Sequence, residues 1–247
     1  MNSSQSDPGL AVILAPVVLL VIIFFVIFGR KRPDNSSRTA SVAPATITHT
    51  VRPEEKAQPK RELSDMLPHQ FIVLDLETTG LSTTADEIIE IAAVKVTINE
   101  TQHPYIQTLV KPTCKIPRKI TEITGITQSM VDADGVTLAA AMEKFLEFAG
   151  NLPLVTYNAE FDIGFLKSAA ARCNVPFNNC YACALKRARR AFPFLPNHKL
   201  VRVAEAFKLP DNDQHRALSD CSRAAQVFML ATVELNQKVR WTQSQSK

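Results

Sequence analysis

The stretch F-I-V-L-D-L-E-T-T-G, residues 71–80, decides how the chain is read. Phe71, Ile72, Val73 and Leu74 form a continuous apolar run of residues that favour extended backbone, as in a strand buried on both faces. Asp75 and Glu77 are two residues apart, so on that strand their side chains share one face. Thr79-Gly80 then breaks the strand. Paired carboxylates at the end of a buried strand, beside a turn, lie where folds place chemistry rather than packing. The plainer reading, two exposed charges at a strand end, fits poorly with the apolar strand that leads into them.

Two later segments carry residues of the same kind. Asp162 lies in Y-N-A-E-F-D-I-G-F-L, residues 157–166, and His215 and Asp220 lie in H-R-A-L-S-D, residues 215–220. Four carboxylates gathered in one place repel one another unless cations neutralise them, so such a cluster is a site for divalent metal. Taken singly, each residue has a blander role. Asp162 reads as an acid serving a helix dipole, His215 as a loop histidine, and Asp220 as the partner of Arg216 or Arg223 on its own helix. Their joint occurrence favours the metal site.

The surrounding pattern is that of a mixed α/β domain. Strands are expected at 71–76, 87–98 and 103–110 as a meander, with a short buried strand at 154–157. Helices are expected at 136–148, at 182–191, at 199–207 and at about 217–238, with another after Asn158, which makes a good N-cap. His215 and Asp220 are five residues apart, about 500° of helical turn, so one ideal helix would not put both on one face. The expected solution puts His215 on the loop after Pro210-Asp-Asn-Asp and Asp220 in the first turns of the last helix.

Outside that domain, residues 10–28 are almost uninterruptedly apolar and are followed by Gly29-Arg30-Lys31-Arg32, while residues 1–9 hold no Lys or Arg. The length suits one membrane crossing of ~30 Å, Pro16 near its start is tolerable there, and the flanking charge puts the C-terminal side in the cytoplasm. A cleaved signal peptide would need a basic start, a shorter apolar core and a small-residue cleavage site. The expected division is therefore an extracytoplasmic 1–9, a transmembrane helix 10–29, a flexible linker 30–66 rich in Ser, Thr, Pro and charge, a globular domain 67–238 and a tail 239–247. The net charge of +4 is compatible with a nucleic-acid partner but equally with a solvated surface. Five cysteines without regular spacing argue for a reducing compartment. Cys180 and Cys183 have C-x-x-C spacing, but no second pair completes a zinc site, and small buried side chains are the expected reading.

The three acidic segments, in this order and context, resemble the exonuclease motifs of the DEDDh, or DnaQ-like, 3′→5′ exonucleases over about residues 68–235. I-T-G-I-T at 123–127 and P-N-H-K-L at 196–200 resemble segments that the family places beside the substrate. The H-x-x-x-x-D spacing separates this group from relatives with Tyr ahead of the last Asp. Two departures, Tyr157 where His is common and Ala182-Cys183 where many members have Asp-Thr, leave the five central residues intact and bear on substrate preference.

The resemblance implies an RNase H-like fold, a mixed five-stranded sheet flanked by helices, and hydrolysis of phosphodiesters from a 3′ end to nucleoside 5′-monophosphates. It implies two divalent ions, Mg²⁺ or Mn²⁺, held by Asp75, Glu77, Asp162 and Asp220 with Asp75 bridging, and His215 as general base. It also implies that Thr78, Leu81 and Ile126 contact the terminal nucleotide. The expected partners are single-stranded or frayed 3′ ends of DNA or RNA, the membrane through residues 10–29, with a bacterial inner membrane as the expected location, and a polymerase or repair protein, with no small organic cofactor. The rival reading is a catalytically silent module that tethers nucleic acid or a replication or repair partner to the membrane.

Overall fold

Strand β1, Gln70–Thr78, is the axis of the fold. It pairs antiparallel with β2, Ile88–Thr97, which pairs antiparallel with β3, Tyr105–Leu109. On its other side β1 runs parallel to β4, Leu154–Thr156, which runs parallel to β5, Tyr181–Cys183. The result is a mixed five-stranded sheet in the order β3-β2-β1-β4-β5. The computed structural model describes residues 66–209 and 217–245. The expected membrane helix 10–29, nearly all of the linker 30–66, and His215 lie outside these residues. Among the described residues no helix is long and apolar enough to cross a membrane.

Seven helices follow the described chain: α1 Arg118–Thr124, α2 Gln128–Asp134, α3 Leu138–Ala149, α4 Ala159–Cys173, α5 Ala184–Ala191, α6 Leu200–Ala206 and α7 Ala217–Gln245. Strict alternation along β1 sorts its side chains into two layers. Ile72, Leu74 and Leu76 pack on one face with Met142 and Phe145 of α3 and Phe165 and Leu166 of α4. Phe71 and Val73 pack on the other with Cys221, Ala225 and Phe228 of α7. Asp75 and Glu77 continue the second set, so the strand's period directs both acids to the face that α7 covers.

The β1–β2 register breaks where the acids sit. Glu77 is opposite Glu90, but Thr78 is opposite Ile88, leaving Ile89 as an extra residue on β2. This bulge explains why Ile88 and Ile91, three apart, pack into the same layer, while Ile89 joins Ile126 and Val131 in a satellite cluster.

The expected meander, the short strand β4 and all five expected helices are present. Four details differ. Residues 182 and 183, expected as the start of a helix, belong to the edge strand β5, Tyr181–Cys183, and the helix begins at Ala184. A three-residue strand is too short to show a period; its pairing with β4 supplies the signal. Asn158 occupies the N-cap position of α4 without a side-chain cap bond, and its backbone carbonyl receives Phe161 N–H and Asp162 N–H instead. The helices α1 and α2 were not expected. The last helix runs on to Gln245 rather than ending near 238.

Candidate active site

Strands β1 and β4 are parallel neighbours, so their C-terminal ends open on the same edge of the sheet. Asp75 and Glu77 lie near the end of β1. Thr156 ends β4, and the chain turns there into α4, placing Asp162 in the first turn of that helix. Thr156 Oγ1 donates to Asp162 Oδ2, holding a side chain that is only 3 % exposed. Asp220 enters from the opposite layer in the first turn of α7, where its Oδ1 pairs with Arg223 at 3.3 Å. The plain reading of Asp220 as an ion-pair partner is thus also seen, but it does not remove the residue from the cluster.

The electrostatics link the four acids. Burial, and then the charges of Asp162, Asp220, Glu77 and Glu90, push the Asp75 carboxyl well above the usual range. Asp162 is pushed up to about 7 by burial, against the opposing effect of its hydrogen bonds from Thr156 and backbone N–H groups. Asp75, Glu77, Asp162 and Asp220 are therefore brought within Coulombic reach, whereas His215 falls outside the described residues. Among those residues no three Asp, Glu, His or Cys side chains form a ready-made metal cage. The donor set fits a divalent cation nonetheless. It is all carboxylate oxygen, suited to hard ions, and a cation would offset the mutual repulsion that adds to burial in raising the Asp75 pKa.

This arrangement has a stability consequence in the absence of metal. Asp162 titrates near 7 when folded and near 3.9 when unfolded, so between these values the folded state binds more protons. Its contribution to stability therefore falls as pH rises from about 4 to about 7 and is flat above. In EDTA, the melting temperature of an Asp162→Asn variant should gain on that of the wild type between pH 5 and pH 7.5. A difference that stayed constant with pH would contradict the assignment.

The turn that follows β1 is built around a close approach. A Cβ on Gly80 would lie 2.5 Å from the Asp86 carboxylate oxygens. That carboxylate accepts from Ser82 N–H at 2.9 Å and from Thr79 Oγ1 at 3.3 Å. Glycine at 80 is thus needed for space. Thr78 is buried and donates to the Gly80 carbonyl at 2.6 Å. Leu81, at the tip of the turn, is 84 % exposed, whereas Ile126 is fully buried against Ile89 and Val131. Of the three residues expected at the terminal nucleotide, Leu81 stands in solvent, Thr78 braces the turn and the Ile126 side chain is core.

The P-N-H-K-L segment is tied to the same edge of the sheet. Tyr157, next after β4, donates its hydroxyl to the His198 carbonyl at 2.5 Å, and burial raises its pKa. Cys180 and Cys183 are half-buried free thiols, and Cys183 Sγ points to the Tyr157 carbonyl at 3.4 Å. Cys221, beside Asp220, is fully buried, and burial together with the neighbouring acids pushes its thiol up, away from reactivity. One acid escaped the sequence reading. Glu90 stands at zero exposure in β2 between Ile89 and Ile91, and a lone charge inside so apolar a run was the available signal.

The exonuclease model of the RNase_T family matches residues 72–228, a span that includes Asp75, Glu77, Asp162 and Asp220. The chain belongs to this exonuclease family. Among its relatives, the DNA polymerase III subunit epsilon of Aquifex aeolicus is 35% identical over 183 residues, covering 73% of this chain and 90% of that protein. A PolC-type DNA polymerase III of Caldanaerobacter subterraneus subsp. tengcongensis is 40% identical over 163 residues, 66% of this chain. The chain spans only 12% of that polymerase. Among solved structures, E. coli exonuclease I in complex with a dA16 oligonucleotide aligns with a TM-score of 0.61 at 20% identity, over 69% of this chain and 42% of that one. The likeness shows that the described domain shares the fold of that part of exonuclease I.

Proposed function

We propose that this chain is a metal-dependent 3′→5′ exonuclease acting on DNA ends and releasing nucleoside 5′-monophosphates. The observation that carries this reading is the convergence of Asp162, Asp220 and Glu77 on Asp75 from three different elements. Asp75, Glu77, Asp162 and Asp220 would hold two Mg²⁺ or Mn²⁺ ions, which when bound stabilise charge on the attacking and leaving oxygens of a phosphodiester. His215 would serve as the general base that takes the proton of the attacking water. Leu81, at the exposed tip of a braced turn, offers an apolar surface to a terminal base. The polymerase relatives support a DNA substrate and a polymerase or repair partner. Residues 10–29 and the basic 30–32 support a membrane anchor that leaves residues 67–238 in the cytoplasm, with 30–66 as tether.

The test is a gel of the purified full chain with 5′-labelled single-stranded DNA and RNA in Mg²⁺, Mn²⁺ or EDTA. A metal-dependent ladder shortening from the 3′ end is expected, strongest on DNA and absent when the 3′ end is blocked. A folded, metal-loaded protein that shortens neither polymer would favour the silent tethering module.

A further inference from the structure

Glu90 is not among the four carboxylates proposed to hold metal, yet its placement is demanding. It is fully inaccessible, and its Cα partner across β1 is Glu77, a like charge directly opposite. A buried carboxylate is costly unless donors surround it. Two donors come from separate elements. Gln107 Nε2 donates to Oε1 at 2.9 Å. Gln107 pairs with Ala92, two residues from Glu90, so it reaches from β3 on the same face of the sheet. The backbone N–H of Ala217 donates to Oε2 at 3.4 Å.

Ala217 is the first residue of α7, and its N–H is one of those a helix leaves unpaired at its start. Because Ala217 is itself fully buried, a protein acceptor must take the place of water. Three residues further on is Asp220. We propose that Glu90 is a positioning residue whose carboxylate fixes the start of α7, and with it Asp220, against the strand pair that carries Glu77. The inference rests on the reading of Glu77 and Asp220 as parts of the active site. With its oxygens held by Gln107 and Ala217, Glu90 acts on the reaction through the helix. An apolar residue at 90 would avoid the repulsion from Glu77 but would leave the helix start without its anchor.

The test compares the full-length wild type with Glu90→Gln and Glu90→Ala by amide hydrogen exchange and by steady-state kinetics in Mg²⁺. Glu90→Ala should speed exchange at 217–221 about tenfold, the loss of one helix cap, with the β1 amides unchanged. It should lower kcat about tenfold with KM within about twofold, as expected for a displaced transition-state group. Glu90→Gln keeps an oxygen for Ala217, and a flipped Gln107 amide can meet its new NH₂, so it should restore both readouts to within about threefold. Unchanged exchange at 217–221 in Glu90→Ala, or a kcat loss in Glu90→Gln as deep as in Glu90→Ala, would overturn the proposal. If Glu90→Ala does not fold, Gln107→Ala decides instead: faster exchange confined to 217–221 supports the anchor, and no change refutes it. The exchange measurement needs no activity, so failure of the exonuclease reading would show separately as an inactive wild type.

Discussion

Asp75→Asn should be inactive and yet more stable than the wild type when metal is absent. Asp75 is the residue on which the charges of Asp162, Asp220, Glu77 and Glu90 all bear, so removing its charge relieves repulsion in the folded state. A gain of about 1 kcal/mol would raise the melting temperature about 3 °C in a domain of this size. On the proposed two-metal reading the same change removes a central ligand, and kcat should fall about 10³-fold or more. Saturating Mg²⁺ should reverse the order of stability, because the wild type binds the cation more tightly and is stabilised by mass action. Scanning calorimetry in EDTA and in Mg²⁺, beside the nuclease gel, checks all three statements. A variant less stable than the wild type in EDTA would mean that the four acids do not oppose one another in the folded chain.

The largest loss of stability is expected from Phe228→Ala. Phe228 is fully buried and packs its ring 5.4 Å from that of Phe71, joining α7 to β1. The ring also carries the buried Arg187, whose guanidinium lies 4.4 Å from the ring centre. Arg187 in turn donates to Thr232 Oγ1, which donates to the Phe228 carbonyl, each at 2.6 Å. Truncation would open a cavity in the layer between helix and sheet and strip a buried cation of its aromatic cover. The two effects together should cost about 3–5 kcal/mol. Urea unfolding should show a lower midpoint at unchanged slope, and Phe228→Leu should recover more than half of the loss. A cost below about 1 kcal/mol would mean that the site repacks, contrary to the usual behaviour of a filled core.

Much of the site was legible because it depends on short-range rules. The alternation of β1 put Asp75 and Glu77 on one face, and the turn from β4 into a helix put Asp162 at a helix start; both hold. Asp220 falls in the first turn of α7, as expected. What stayed hidden depends on pairing between distant segments. Whether Ile126 faces a nucleotide or the core is set by Ile89 and Val131, which meet it only in the folded chain. β5 exists because β4 is beside it. Glu90 was visible as an oddity, but its meaning depends on Ala217, 127 residues away.

The bulge at Ile89 has a consequence for how this domain can vary. β1 and β2 are in continuous register from Gln70↔Thr97 to Glu77↔Glu90, and the irregularity lies just beyond, on the side of the connecting turn. A residue gained or lost between 79 and 87 can therefore be absorbed at that slack point without shifting Glu77 against Glu90. Register upstream of the bulge is fixed by the apolar layers on both faces, since a one-residue slip would turn each side chain to the wrong side. The segment bearing Leu81 is thus insulated from the acids. Its length and its exposed positions, Gly80 and Asp86 excepted, can diversify among descendants of this chain without moving Glu77 against Glu90.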